Sequence, residues 1–226
     1  MGHFLEEAGI AFTADARSKL AVYNALIKKW NSYASLVSEG DVTRIQQDHI
    51  PDALSLAPLI QELTARGGTW LDIGSGGGLP AIPIHLLLPD IPLVMLERSA
   101  KKIGFLRTVV GQLSLQGVAL VQGEFPVAAQ PYTPTVLTAR AVERPRKILR
   151  DVSAYLAEDA VFLCQSGDPR PALNDMFHVE RIEDGWSNAG LRRGPLHLVR
   201  KLPVPNQSKE NPIVPRGTRK EDRPLH

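Results

Sequence analysis

The segment Trp70-Leu71-Asp72-Ile73-Gly74-Ser75-Gly76-Gly77-Gly78-Leu79-Pro80 constrains this chain more than any other. A short apolar run, compatible with a buried strand, passes into a loop carrying four glycines and then into a helical stretch. Backbone without Cβ atoms lets a ligand approach closely, and the carboxyl end of a first parallel strand is where α/β sheets place such loops. Two ligand classes use this geometry. From Gly76 to Ala81 the spacing is G-x-G-x-x-A, which seats a pyrophosphate on a helix amino terminus. From Asp72 it reads D-x-G-x-G-x-G, the form that holds S-adenosyl-L-methionine. Asp72 favours the second. A buried carboxylate is costly unless it accepts hydrogen bonds or faces a cation. The amino group of a methionine-like ligand is such a cation, whereas a pyrophosphate is repelled.

The rest of the chain alternates as βαβ units do. Strands are expected at 69–73, 92–96, 118–121, 135–138 and 160–164, with helices at 80–88, 100–113 and 144–156. Two further strands, 177–182 and 196–202, are joined by a polar loop and read as an antiparallel pair at a sheet edge. Before the glycine loop, residues 13–37 place Tyr23, Leu26, Ile27 and Trp30 on one helical face, with Thr13 or Asp15 as cap. A second helix starts near Pro51 and carries Leu54, Leu56, Leu59 and Ile60. The expected fold is a Rossmann-like α/β domain at 67–202, with a mostly parallel sheet and an antiparallel edge pair. A helical extension, 1–66, packs on it, and a basic, proline-rich tail follows at 203–226. The length of 226 residues suits one such domain, and 43% hydrophobic content supports a core without staples. The single cysteine, Cys164, cannot form an internal disulfide or a cysteine-rich metal site. No apolar run is long enough to span a membrane, and the expected compartment is a reducing cytoplasm.

Strand ends supply the other candidate ligand contacts. Glu97 closes the second strand and can accept hydrogen bonds from both hydroxyls of a ribose, in either ligand class. Gly123 and Glu124 follow the third strand, at the position that borders an adenine, although alone they pass as an ordinary turn. Arg140 closes the fourth strand, either above the crevice or in a structural ion pair on its rim. His49 and Asp52 either line the substrate side or tie the amino-terminal region to the core. Net charge is only +2, but basic residues cluster around Arg140–Arg150, around Arg192 and Arg193, and in the tail with Arg216. Local positive surface of this kind suits a polyanion, and taken cluster by cluster it also suits a solvated face.

These segments in their order resemble the bacterial 16S ribosomal RNA guanine-N7 methyltransferase family, RsmG or GidB. The shared features are Trp30-Asn31, His49-Ile50-Pro51-Asp52, Leu71 through Pro80, Glu97 with Lys101-Lys102 and Phe105-Leu106, Ala139-Arg140-Ala141, and His197-Leu198-Val199. The tail from Val214-Pro215-Arg216 to Pro224-Leu225 is similar to the family's ending. The resemblance implies a class I methyltransferase fold and S-adenosyl-L-methionine as cofactor. It implies a guanosine in the 530 loop of 16S ribosomal RNA as target, met as RNA or within the small ribosomal subunit. It places Gly74, Leu79, Gly123, Glu124 and Arg140 around the cofactor, joined by Asp72, Gly76, Gly78 and Glu97 from the residue reading. His49, Asp52, Arg144, Arg146, Arg192, Arg193 and Arg216 fall on the RNA side. The chain departs from the family pattern at Ala53, at Gln122-Gly123-Glu124, and at Gln165-Ser166-Gly167, where many members carry a lysine-glycine pair.

Guanine N7 has a free lone pair, so its methylation needs no general base, and positioning does most of the work. No catalytic residue and no metal are therefore expected. The exocyclic-amine motif Asn/Asp-Pro-Pro-Tyr/Phe is missing, and Cys164, at the end of an apolar strand, reads as a packing residue and not a nucleophile. A monomer is expected. A small-molecule methyltransferase with the same cofactor residues, or a non-catalytic ribosome-assembly factor, remains compatible with the sequence.

Overall fold

The apolar runs fold as parallel strands because residues buried on both faces of a sheet have no polar side to present. A computed structural model describes residues 2–140, 145–165, 167–182 and 191–202. The strands are β1 (Trp70–Ile73), β2 (Leu93–Glu97), β3 (Val118–Gln122), β4 (Val136–Ala139), β5 (Val161–Cys164), β6 (Phe177–Arg181) and β7 (His197–Lys201). They form one seven-stranded sheet in the order β3-β2-β1-β4-β5-β7-β6. The first five are parallel, and β7 runs antiparallel between β5 and β6. Strand order reverses between β1 and β4, which are paired with Asp72 opposite Thr138. The crevice above that junction is where open α/β sheets bind ligands.

Alternation along the strands divides the core in two. Trp70, Met95, Val136 and Leu163 face one side and share an apolar cluster with Leu5, Tyr23, Ile27, Leu54 and Ile60 of the preceding helices. Leu71, Ile73, Leu96, Ala139, Phe162 and Cys164 face the other, against Leu149 and Val152. The early helices are α1 (Gly2–Glu7), α2 (Ala14–Ala34), α3 (Glu39–Val42), α4 (Ile50–Leu54) and α5 (Ala57–Thr64). Those between and after strands are α6 (Ala81–His85), α7 (Ala100–Gln112) and α8 (Pro145–Tyr155).

Several boundaries differ from the sequence expectation. α1 was not anticipated. α2 is capped by Thr13, whose hydroxyl accepts from the Ala16 amide at 3.1 Å. It stops at Ala34, short of 37, because Ser35 adopts a left-handed conformation and Asn31 Oδ1 takes the Leu36 and Val37 amides. The helix expected from Pro51 is two helices, α4 and α5, preceded by a π-helical turn at Ile45–His49. α6 ends at His85 and not at 88; the chain leaves it through a turn in which the Leu87 and Leu88 amides both donate to the Ile84 carbonyl. Arg144, Arg216 and the tail 203–226 lie outside the described residues.

Because α2 shares its apolar cluster with β1, both should unfold in one transition. Ile27→Ala is expected to cost about 2–5 kcal/mol. Urea unfolding followed by tryptophan fluorescence, with Trp30 in α2 and Trp70 in β1, checks this. Two separate transitions would contradict the shared core.

Candidate active site

The loop after β1 is built by glycine conformations. Gly74, Gly76 and Gly78 have φ of 67°, 53° and 82°, a region that L side chains rarely adopt. A Cβ on Gly78 would also stand 2.6 Å from Ile82 Cγ1. The Gly74 and Ser75 amides donate to the Leu96 carbonyl at 2.8 and 3.1 Å, anchoring the loop on β2. Glu97 anchors it again. Its Oε2 accepts from the Gly76 amide at 2.9 Å, and its Oε1 accepts from the Ser99 amide at 2.8 Å. Behind the loop, the Tyr23 hydroxyl donates to the Gly77 carbonyl at 2.6 Å. Burial holds that phenol well above its ordinary pKa, so it remains a donor.

Asp72 is buried at 1% exposure. The Trp70 indole N–H donates to Thr138 Oγ1 at 2.9 Å, and that hydroxyl donates to Asp72 Oδ1 at 2.6 Å. Asp72 Oδ2 is buried without a protein partner. Desolvation raises its pKa to about 7, against the nearby Thr138 and Ser75 hydroxyls, with Glu97 adding to the rise and Arg140 opposing it; the Ser75 hydroxyl itself donates to the Asp72 backbone carbonyl at 3.0 Å. A fully buried carboxylate with one oxygen unanswered is complementary to a ligand cation.

Arg140, at the end of β4, gathers three segments that are far apart in sequence. Its Nη1 lies 3.0 Å from Asp52 Oδ2, and its Nη2 lies 2.8 Å from His49 Nδ1. A guanidinium has only donors, so Nδ1 accepts and the ring proton sits on Nε2, which faces Asp41 Oδ1 at 3.0 Å. The other Asp52 oxygen accepts from the Arg193 amide at 2.8 Å. The Arg193 guanidinium pairs with Asp48, which also takes Arg44 Nε at 2.6 Å. Arg192 Nη1 is buried without a partner, and burial lowers its pKa against the pull of Asp52. His49, Asp52, Arg140 and Arg193 thus form one polar rim at the end of β4, with Arg192 next to Arg193 in the chain.

Gly123 donates its amide to the Glu97 carbonyl at 3.1 Å, and a Cβ there would stand 2.4 Å from Ala128 Cβ, so close packing alone demands glycine. The Glu124 side chain is largely exposed and pairs with Lys147 at 3.3 Å. Leu79 is half-buried behind the glycine loop. Arg146 is exposed on α8. Cys164 is buried in the apolar cluster under β5. Among the described residues no cluster could hold a metal ion, and no helix is long and apolar enough to cross a membrane. The sequence reading missed the hydrogen-bonding roles of Tyr23, Trp70 and Thr138. Only the polar atoms of Tyr23 and Trp70, on otherwise apolar faces, hinted at them.

The Asp72 shift predicts a pH dependence of stability. Its folded pKa of about 7 lies above the ordinary 3.8, so the folded state keeps a proton that the unfolded chain releases between those values. The Asp72 contribution to stability therefore falls as pH rises through that window, by about 4 kcal/mol in total, and is flat above it. Asp72→Asn removes the titration. Without ligand it is expected to be more stable than the parent at roughly pH 8, and the advantage should vanish near roughly pH 4. Urea midpoints at the two pH values measure this, and an equal difference at both would contradict it.

The rRNA small subunit methyltransferase G (GidB) family matches residues 16–170, a span containing the glycine loop, Glu97 and Arg140. Ribosomal RNA small subunit methyltransferase G of Salmonella agona is 31% identical over 191 residues, covering 81% of this chain and 88% of its own. Its namesake in Pseudomonas aeruginosa is 35% identical over 129 residues, 57% of this chain and 58% of its own. Among solved structures, MtNAS in complex with MTA and tNA superposes with a TM-score of 0.58 at 18% identity, covering 83% of this chain and 74% of that one. A mutant of MtNAS in complex with S-adenosylmethionine gives 0.57 at 18% identity, covering 83% and 76%. At that identity the likeness establishes the fold, a Rossmann-like class I methyltransferase fold. The chain belongs to the rRNA small subunit methyltransferase G (GidB) family of S-adenosylmethionine-dependent methyltransferases.

Proposed function

We propose that the protein methylates N7 of a guanosine in the 530 loop of 16S ribosomal RNA, with S-adenosyl-L-methionine as methyl donor, as a monomer in the cytoplasm. The observation that carries the cofactor reading is the partnerless Asp72 Oδ2 at the strand end under the glycine loop. Asp72 receives the amino group of the methionine moiety. Gly74, Gly76 and Gly78 keep the backbone open for it, with Leu79 closing the loop. Glu97 offers its remaining lone pairs to the ribose hydroxyls, and the segment Gly123-Glu124 borders the adenine. Arg140 stands at the end of the neighbouring strand, its place fixed by Asp52 and His49.

When bound, the cofactor supplies an electrophilic methyl group on a sulfonium. The chain's own task is to hold guanine N7 in line with that methyl, because N7 carries no proton to remove. No general base is needed. The rim of Asp52, His49, Arg192 and Arg193, with Arg144, Arg146 and Arg216, receives the RNA. Cationic groups there grip phosphates and set the orientation without reading sequence. The helices of 1–66 act as a cover over one face of the 67–202 domain, and the tail 203–226 adds basic contacts.

Two measurements test this reading. Labelled methyl from adenosylmethionine is expected in N7-methylguanosine within the 530 loop, using small-subunit RNA or particles that lack the modification. Label in another base or position sinks the target assignment, and label only in small molecules sinks the RNA reading. Binding of S-adenosylhomocysteine should weaken about tenfold per unit as pH falls below roughly 7, because the ligand ammonium selects ionised Asp72 and a proton must leave. Calorimetry on Asp72→Asn should show a weaker, pH-independent affinity. A pH-independent affinity in the parent protein would remove the ammonium from Asp72.

A further inference from the structure

A tyrosine from outside the sheet fixes the middle of the glycine loop. Tyr23 is fully buried in α2, with Leu20, Leu26 and Ile27 buried on the same helix, so its ring has no freedom to swing. Its hydroxyl donates to the Gly77 carbonyl at 2.6 Å. The second contact from this region is Leu36, just past the end of α2. A Cβ placed on Gly77 would lie 3.3 Å from Leu36 Cβ and 3.5 Å from the Leu36 carbonyl oxygen. Leu36 is itself held by the bond from its amide to Asn31 Oδ1 at 2.9 Å. The loop is therefore gripped from behind by an element that has no place in the strand-loop-helix motif.

Such a grip matters because the loop is easily deformed. Peptide planes flanked by glycines reorient at little steric cost, and this loop has four glycines, three with positive φ. Both edges of the loop are tied down. The Gly74 and Ser75 amides reach Leu96, the Gly76 amide reaches Glu97, and the Gly78 amide donates to the Ser75 carbonyl at 2.6 Å. The peptide between Gly77 and Gly78 is thus held at both ends, its amide by Ser75 within the loop and its carbonyl by Tyr23 from outside it. A loop with several accessible conformations binds in proportion to the fraction already in the competent one.

We propose that Tyr23 is a positioning residue for the cofactor: its hydrogen bond to Gly77 selects the receiving conformation of the glycine loop and couples the docking of α2 to cofactor occupancy. The proposal rests on the assignment of adenosylmethionine to this loop. It implies that the amino-terminal helices shape the cofactor site as well as covering the sheet. Coupling of this kind is reciprocal, so cofactor binding must tighten α2 on the loop.

The test is Tyr23→Phe, which keeps the ring and removes only the donor. Calorimetry with S-adenosylhomocysteine is expected to show about tenfold weaker binding, the size of one buried hydrogen bond. The KM for adenosylmethionine should rise by the same factor, with kcat and the KM for RNA unchanged. A role confined to stability would lower the melting temperature and leave the affinity of the folded protein where it was. Hydrogen exchange on the parent protein gives an independent reading: adenosylhomocysteine should slow exchange across Ala14–Ala34. Parent binding with an unchanged Kd in Tyr23→Phe, or parent binding with no added protection of α2, overturns the proposal. Absence of binding in the parent protein overturns the cofactor assignment, and this inference with it.

Discussion

A carboxylate buried at the end of the central strand is the constraint around which the rest is arranged. Asp72 sits where strand order reverses, at a depth where an isolated charge is strongly disfavoured. Thr138 answers one of its oxygens, and Trp70 in turn orients Thr138, so the register of β1 against β4 is recorded in a chain of side-chain hydrogen bonds. The second oxygen is left open. This chain of bonds needs a dry face, and the helices before β1 provide it by covering Trp70 and its neighbours. The folding of the early helices and the chemistry of the strand end are thus parts of one arrangement.

The rim shows a second form of the same dependence. Arg140 directly follows β4, His49 and Asp52 lie in the helical segments before the sheet, and Arg193 in the segment before β7. Each charge is held by a partner from another part of the chain, so the rim exists only when all three segments are in place. The unpartnered Arg192 nitrogen is the open end of this network, as the Asp72 oxygen is of the buried one. Two partnerless buried atoms of opposite character thus remain, an oxygen of Asp72 and a nitrogen of Arg192.

Much of this was legible in the sequence. The glycine spacing, the preceding acid and the alternation of apolar runs give β1 to β5 and the antiparallel edge pair, because hydrophobic period and turn chemistry are local properties. Asp72, Glu97 and Arg140 could be named for the same reason: each lies one position inside, at or just beyond a strand end that the pattern locates. Boundaries set by single side chains were less accessible. The stop of α2 depends on Asn31 turning back to cap it, and the break between α4 and α5 comes with a Ser55 hydroxyl that donates to the Asp52 carbonyl.

Only the tertiary structure decided which polar atoms meet. Tyr23 lies 54 positions from the glycine it holds, Asp52 lies 141 from the Arg193 amide, and His49 lies 91 from Arg140. Periodicity along a helix assigns Tyr23 to a buried face but says nothing about where its hydroxyl ends. That is fixed by how α2 crosses the sheet, a matter of packing between distant segments. The sequence by itself narrowed the kind of ligand, through a motif whose geometry is local. The fold decided what supports that motif, because burial and long-range hydrogen bonds do not exist until the chain has closed on itself.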